Sequence, residues 1–347
     1  MRDFIKLYSG IKKILKDLTN MMKKIIIAEI GSTHDGSIKL AKESVKMAAK
    51  SGADFVKFQM HIAEEETLEN APSPYYFKNE SRYEYFKRTS FNLKNWKEII
   101  DECKKYKVGF LCSPFSLKAV DILEKLKVKY YKVPSGELTN LPLISKLAKT
   151  KKKIFLSTGM SSWKEIEQAV KLIHKKNFLV MQCSSIYPCN LRNVGSNIFY
   201  DLKKKYKEFG FSDHTTSFAA SCLAASLGAS VIEKHFTLSK KLYGSDAKFS
   251  MEPSEFKEFC KIIKDIWYIQ NFKINKNDLK KYSSMKRVFE KSIVSKKFIK
   301  KGSKIKFEDL NFKKPGDGVR ADKYKKIIGK IARRNIKANH KLKNSDF

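Results

Sequence analysis

The chain has 347 residues, with 72 Lys and Arg against 36 Asp and Glu, a formal net charge of +36. Its 42% hydrophobic and 12% aromatic content excludes wholesale disorder, which combines high charge with low hydrophobicity. No apolar run approaches the ~20 residues of a membrane-spanning helix, and the length suits two domains or one large α/β barrel with an appendage.

Residues 1–22 read as an N-terminal extension. Ile11-Lys-Lys-Ile-Leu-Lys is amphipathic and basic, without the long apolar core and small-residue cleavage site of a secretory signal, and Met21-Met22 stands directly before the first apolar run. From there, short apolar runs bounded by turn residues recur at 25–30, 54–59, 108–112, 130–133, 154–157, 178–183, 210–212 and 230–234. Helical periodicity follows several of them, at 38–49, 117–126, 163–173 and 218–227. Eight strand–helix units with near-continuous apolar strands predict an α/β fold, a parallel (β/α)8 or TIM barrel over residues 23–270. The connection from the second to the third strand is the outlier. Residues 60–92 show little periodicity, hold Pro72 and Pro74 and carry Tyr at 75, 76, 83 and 85, as a lid or binding loop would. Residues 271–287 are polar and read as a linker. Residues 288–347 change character, with a strand-like run at 292–294 and turns at Gly302, Pro315-Gly316-Asp317-Gly318 and Gly329. They predict a small β-rich domain with barely enough burial to be stable unless it docks.

The charge invites a nucleic-acid reading, because Lys and Arg displace counterions from a phosphate backbone. Only eight of the basic residues are Arg (2, 82, 88, 192, 287, 320, 333 and 334), and the lysines are dispersed in short runs such as 151–153 and 203–205. Base recognition leans on Arg, so solvated faces are the preferred account and no nucleic-acid or membrane partner is expected. The six cysteines (103, 112, 183, 189, 222 and 260) form no CxxC pair and read as reduced thiols of a cytoplasmic protein.

Chemistry in such barrels sits where strands end. The predicted strand ends are Glu29; Lys57 and Gln59; Ser113; Lys132, Ser135 and Glu137; Ser157, Thr158 and Gly159; Gln182, Ser184, Ser185 and Tyr187; Ser212, Asp213 and His214; and Glu233, Lys234 and His235. His214 and His235 end neighbouring strands, where two imidazoles can share one divalent metal, with Asp213 and Glu233 as supporting groups or salt-bridge partners. Equally, each His can bond only to a neighbouring loop. Two His without a carboxylate point to Mn²⁺ or a similar ion rather than a closed Zn site, with Mg²⁺ and Co²⁺ as alternatives. Lys57 and Lys132 end otherwise apolar strands and need an anion if buried. With Ser135, Ser157 and Ser212 they can form a phosphate pocket; the alternatives are a Schiff-base lysine or a side chain snorkelling from the rim. Glu29, a carboxylate in an apolar strand, is either an acid or base or the partner of a rim lysine. Glu137 can accept hydrogen bonds from substrate hydroxyls or lie on the surface.

Ile27-Ala-Glu-Ile-Gly31, Val56-Lys-Phe-Gln59, Tyr131-Lys-Val-Pro-Ser-Gly-Glu137, Leu156-Ser-Thr-Gly-Met160, Cys183-Ser-Ser-Ile-Tyr-Pro188, Phe211-Ser-Asp-His-Thr215 and Ile232-Glu-Lys-His-Phe-Thr237 occur in this order. Together they resemble the sialic acid synthase family, and the tail from Gly302 through Lys313-Lys-Pro-Gly-Asp-Gly318 resembles that family's antifreeze-like SAF domain. The resemblance implies condensation of phosphoenolpyruvate with an N-acylated hexosamine to a nine-carbon 2-keto acid sugar. It implies a metal at His214 and His235, with phosphoenolpyruvate held by Lys57, Ser113, Lys132, Ser135, Ser157 and Ser212. Gln59, Glu137, Tyr187 and Asp246 match positions around the acceptor, Ser185 stands at the same rim, and Glu29 is the candidate for orienting or deprotonating a reactant. It also implies a domain-swapped homodimer, each small domain covering its partner's barrel mouth. Three positions depart from the family pattern: Lys314 replaces an Arg, Asp246 is kept in Gly244-Ser-Asp-Ala247 without the usual His, and Cys189-Asn190 follow Tyr-Pro. They leave the acceptor open between N-acetylmannosamine, the default, and a 6-deoxy, di-acylated hexosamine leading to legionaminic or pseudaminic acid, which apolar contacts would favour. The rivals are a Schiff-base aldolase using Lys57, Lys132 or Lys234, a basic nucleic-acid-binding protein, and a non-catalytic barrel.

Overall fold

The computed structural model describes residues 24–73, 80–243 and 246–347. The extension at 1–22, with Pro74, Tyr75, Tyr76, Gly244 and Ser245, lies outside the described residues. The chain divides after Phe272 into two compact units.

The first is a closed parallel barrel in chain order, β1 (Ile25–Gly31), β2 (Phe55–Met60), β3 (Gly109–Pro114), β4 (Tyr130–Val133), β5 (Lys153–Ser157), β6 (Phe178–Cys183), β7 (Phe209–Asp213) and β8 (Val231–His235), with β8 pairing back onto β1. Each predicted run becomes a strand, shifted by a residue or two at its ends. The flanking helices include α1 (Ile38–Lys50) and, after β2, α2 (Ala63–Glu66), α3 (Arg82–Thr89) and α4 (Leu93–Lys105). Beyond β3 come α5 (Leu117–Lys125), α6 (Leu141–Lys149), α7 (Trp163–Lys171), α8 (Ser196–Lys205), α9 (Ala219–Leu227) and α10 (Pro253–Ile269). Local chemistry starts them: Ser37 caps α1 by accepting from Leu40 N–H, and Ser162 with Glu165 forms a capping box on α7.

Alternation along the strands divides the core. Ile27, Phe55, Leu111, Phe155, Leu179, Met181 and Val231 form one buried cluster, a plug filling the barrel interior. Their neighbours, such as Ile26, Val56, Cys112, Val180 and Ile232, belong to the larger cluster packed beneath the helices. The inner cluster makes the barrel a solid floor rather than a pore.

Two stretches hold helices that their sequence does not announce. Residues 60–92 carry α2 and α3. Helix α3 is short and N-capped by a Ser81–Glu84 capping box; it buries Tyr85, Phe86 and Thr89, which is too few turns for a period to emerge from the sequence. The stretch read as a polar linker holds a 3-10 turn at Lys280–Tyr282 and α11 (Ser283–Phe289), with Met285, Val288 and Phe289 exposed on it.

The second unit has an antiparallel pair, β9 (Ser292–Ser295) with β10 (Leu310–Lys313), over a core of Ile293, Ile299, Ile305, Leu310, Ile327, Ala332, Ile336 and Leu342. Asp346 ties its end together. The buried carboxylate accepts from Lys343 N–H at 2.8 Å, His340 Nε2 at 2.9 Å and Arg334 Nε at 2.6 Å. Burial pushes its pKa up, but these hydrogen bonds outweigh burial and hold it below the usual Asp value. A depressed folded-state pKa gives stability that is present above the unfolded value and lost as pH falls through the folded one. We therefore expect Asp346→Asn to destabilise the full chain by about 1–3 kcal/mol at neutral pH. In urea titrations the gap from wild type should begin to narrow once pH drops below about 4, near the unfolded Asp pKa, and close only below the lower folded-state pKa; a gap independent of pH would refute this account.

Candidate active site

The polar rim grows out of the same alternation. Two residues beyond the plug, towards each strand's C-terminal end, the inward positions become Glu29 after Ile27, Lys57 after Phe55, Ser113 after Leu111 and Lys132 after Tyr130. Ser157 follows Phe155, Cys183 follows Met181, Ser212 follows Gly210 and Glu233 follows Val231 in the same way. All but Ser113 line a cavity of about 660 Å³, with Gln59, Ser135, Ser185, Tyr187, His214, His235 and Asp246 above them.

Four charges meet at its base. Lys57 Nζ lies 3.1 Å from Glu29 Oε1 and 3.2 Å from Glu233 Oε1, and Lys132 Nζ lies 2.6 Å from Glu233 Oε2. Ser212 Oγ donates to Glu233 Oε1 at 2.9 Å. Burial opposes every charge here, and the neighbours decide the outcome. Glu233 would be pushed up by burial, but Lys132 and Lys57 hold it well below the carboxylate range. Lys57 would be pulled down by burial, yet Glu233 and Glu29 raise it above its usual value. Lys132 ends lowered, because burial and Lys57 together outweigh Glu233. Burial leaves Glu29 raised despite Lys57. The anion these lysines require is thus supplied first by the protein itself, chiefly by Glu233, which the sequence reading had placed only beside the histidines.

Donors without partners complete the pocket. Ser157 Oγ and Ser185 Oγ are buried and unbonded, as are Ser113 Oγ and Glu29 Oε2. Ser135 Oγ accepts from Gly159 N–H at 3.0 Å. A Cβ at Gly159 would collide with both Ser185 Oγ and Ser135 Oγ, so this close approach requires glycine. Two buried ammonium groups beside unpaired hydroxyls suit a phosphate or carboxylate.

The two histidines stand side by side at the ends of β7 and β8, ring centres 5.3 Å apart. His214 Nδ1 donates to Ser184 O at 2.8 Å, which leaves Nε2 3.2 Å from Tyr187 Oη. Burial lowers the His214 pKa, but Cys183 beside it and the Ser184 carbonyl raise it to about 8. Burial pushes His235 down to about 4 despite Asp246, whose Oδ2 is 3.9 Å from Nδ1; that nitrogen is buried without a hydrogen bond. An imidazole held neutral, with an orphaned nitrogen, beside a second whose Nδ1 is already spoken for, fits a shared divalent metal. Among the described residues no group of three or more His, Cys, Asp or Glu is arranged as a metal cage, so the protein's share would be these two rings.

Other predicted residues lie elsewhere. Glu137 is half-buried outside the cavity lining and accepts from Asn140 Nδ2 at 2.8 Å; burial raises its pKa. Lys314 belongs to the second unit, its ammonium 5.1 Å from the Phe289 ring centre. Lys234 is not a rim lysine. It points to the outer face of β8, where Asp213 Oδ2 at 2.8 Å and the carbonyls of Thr215 and Ser217 hold it. Asp213 is committed there as well, accepting from Ser221 Oγ at 2.6 Å and Thr215 N–H at 2.8 Å. This removes Lys234 from the Schiff-base candidates and Asp213 from the metal's surroundings. Sequence reasoning missed the loop-borne lining: His61, Arg82, Phe86, Phe115, Met160, Ile186 and Phe249. Only His61 carried a signal, as it continues the two-residue alternation of Lys57 and Gln59.

The NeuB family profile matches residues 44–275 and the SAF domain profile residues 290–347. The chain belongs to the NeuB family. It is 40% identical to the N,N'-diacetyllegionaminic acid synthase of Campylobacter jejuni, over 93% of this chain and 100% of that protein. It is 33% identical to the pseudaminic acid synthase of Helicobacter pylori, over 93% and 97% respectively. Among solved structures, the N-acetylneuraminic acid (sialic acid) synthetase of Leptospira borgpetersenii superposes with a TM-score of 0.67 at 28% identity, covering 76% of this chain and 91% of that one.

Removing Glu233 would take the carboxylate from buried Lys132 and leave Lys57 with Glu29 alone. Glu233→Ala is expected to lower stability by about 3–5 kcal/mol. Added inorganic phosphate should narrow the gap in thermal unfolding; a variant as stable as wild type would show that Glu233 is not their counter-ion.

Proposed function

We propose that this chain condenses phosphoenolpyruvate with an N-acylated hexosamine, giving a nine-carbon 2-keto acid sugar and inorganic phosphate. The observation that carries the reading is the paired buried lysines, Lys57 and Lys132, beside the unbonded hydroxyls of Ser157 and Ser185. They are suited to the phosphate and carboxylate of phosphoenolpyruvate.

The chemistry balances as follows. C3 of phosphoenolpyruvate attacks the aldehyde carbon of the open-chain sugar, forming the C–C bond and leaving cationic character at C2. Water adds at C2, and its proton ends on the former aldehyde oxygen. The C2–O bond to phosphorus then breaks, the C2 hydroxyl becomes the ketone, and its proton leaves with phosphate. Lys57 and Lys132 neutralise the phosphate throughout. Glu29 lines the cavity, has a raised pKa and leaves Oε2 unbonded, and is the group to take the proton from water and pass it on. A divalent metal held by His214 and His235, Mn²⁺ in this reading, would supply Lewis acidity towards the acceptor's carbonyl. Gln59, Tyr187 and Asp246 line the same cavity and orient the acceptor.

Of the two acceptor classes, a 6-deoxy, di-N-acylated hexosamine is the better match. Phe86, Phe115, Met160, Ile186 and Phe249 supply apolar lining where a 6-hydroxyl would lose its hydrogen bonds. The 40% identity to a diacetyllegionaminic acid synthase supports the same choice. In this reading the chain is a homodimer whose small domains cover the partner's barrel mouth and bring Lys314 to the acceptor. The exposed Met285, Val288 and Phe289 of α11 support such an interface, and the free cysteines support a reducing cytoplasm.

Phosphate release from phosphoenolpyruvate should depend on Mn²⁺, stop with a chelator, and be fastest with the di-acylated deoxy sugars. N-acetylmannosamine outpacing them would overturn the acceptor assignment, and no release with any acceptor would overturn the reaction. Lys132, with its lowered pKa, is the lysine best placed for the aldolase alternative. Borohydride with pyruvate should nevertheless leave the chain unlabelled. Sedimentation should give a dimer mass, and a monomer would remove the swapped arrangement.

A further inference from the structure

Behind Gln59 lies a buried cluster to which the reaction above assigns no part. His61 Nε2 is 3.0 Å from Gln59 Oε1, and His61 Nδ1 is 2.6 Å from Glu66 Oε1 on α2. Both the His61 and Glu66 side chains are 5% exposed, and Glu66 Oε2 has no hydrogen-bond partner. The imidazole is clamped between two rings, Phe86 at 3.7 Å and 6° and Phe115 at 4.1 Å and 28°. Its backbone carbonyl accepts from Ser90 Oγ at 2.9 Å. Ring, edge and backbone are all immobilised.

Hydrogen-bond polarity runs from His61 through Gln59 to Glu29. Glu29 Oε1 receives a hydrogen bond from Gln59 Nε2 at 2.7 Å and lies beside Lys57, so as a carboxylate it selects the donor end of the amide. Gln59 Oε1 must then face His61, and His61 Nε2 must donate to it. Glu66 Oε1 accepts from Nδ1–H at 2.6 Å, so the ring donates from both nitrogens, with the buried carboxylate beside it as counter-ion. With the amide so locked, Glu29 Oε1 is engaged by Gln59 and Lys57, and Oε2 is the oxygen left unbonded. An amide released from His61 can turn its oxygen to Glu29, where two acceptors repel and the carboxylate loses its orientation.

We propose that His61 is a positioning residue for Glu29, acting through Gln59, with Glu66 holding the ring at Nδ1–H and the Phe86–Phe115 stack fixing its plane. This rests on the condensation reading for its kinetic consequence, while the Nε2–H donor itself is independent of any reaction.

His61→Phe keeps the stack and removes the donor. It should lower kcat about tenfold to a hundredfold, the usual cost of losing an orienting partner. The KM for phosphoenolpyruvate should hold, because Lys57 and Lys132 are untouched. Glu66→Gln provides the conservative rescue: its amide N–H can donate to Nδ1 and keep Nε2 protonated, so activity should stay near wild type, whereas Glu66→Leu should fall with His61→Phe. Wild-type kcat in both His61→Phe and Glu66→Leu, or a kcat loss in Glu66→Gln matching that in Glu66→Leu, would overturn the proposal. So would a loss in His61→Phe that tracks a lowered melting temperature. Nitrogen-15 spectra of histidine-labelled protein, with His61 assigned by its absence in His61→Phe, should show a proton on Nε2. An unprotonated Nε2 overturns the proposal whether or not the chain condenses anything, and a protonated one upholds the hydrogen bond from His61 to Gln59 even if no condensation is found.

Discussion

Everything at the base of the cavity depends on one buried carboxylate, Glu233, shared between Lys57 and Lys132. Two ammonium groups in a closed, apolar-floored barrel repel each other and lack water, and each would discharge without a counter-ion. Glu233 keeps at least one of them charged before any ligand arrives. The arrangement is also incomplete, because Glu29 is pushed towards protonation and two serine hydroxyls have no acceptor. A site that is electrostatically stable yet short of hydrogen-bond acceptors is prepared for an oxyanion, with little reorganisation needed when one binds.

The strands and the loops carry different duties. Glu29, Lys57, Lys132, Ser157, Ser212 and Glu233 stand on β-strands, each two residues beyond an inward-facing position, where sheet pairing sets their places. The aromatic and aliphatic lining comes from α3 and from the connections after β3, β5, β6 and β8. His61 joins the two, since its edge reaches Gln59 beside β2 while its face meets Phe86 of α3. The other lysines among the described residues are largely on the surface.

How much was legible in the sequence follows from the range of each signal. Strand alternation is local and strong, so the barrel and the position of Lys57, Lys132 and Glu29 at strand ends emerged from it. The same parity separates Glu233 and His235 from Lys234, which faces outward; reading all three as rim residues overlooked that alternation. Glu233's partnership with β2 and β4 crosses the barrel, and only closure of β8 onto β1 brings these strands around one centre. Helix α3 and helix α11 escaped because each is only about two turns long, below the length at which periodicity can be separated from a loop. The lining aromatics are held by tertiary packing and have no spacing to betray them.

The plug of Ile27, Phe55, Leu111, Phe155, Leu179, Met181 and Val231 closes the barrel beneath the lysines. With that floor closed, a molecule reaches the cations only past the rim built by α3 and the connections after β3, β5, β6 and β8. In the reading proposed above, phosphoenolpyruvate would then have to enter before the sugar, so that a binding order would follow from the shape of a floor.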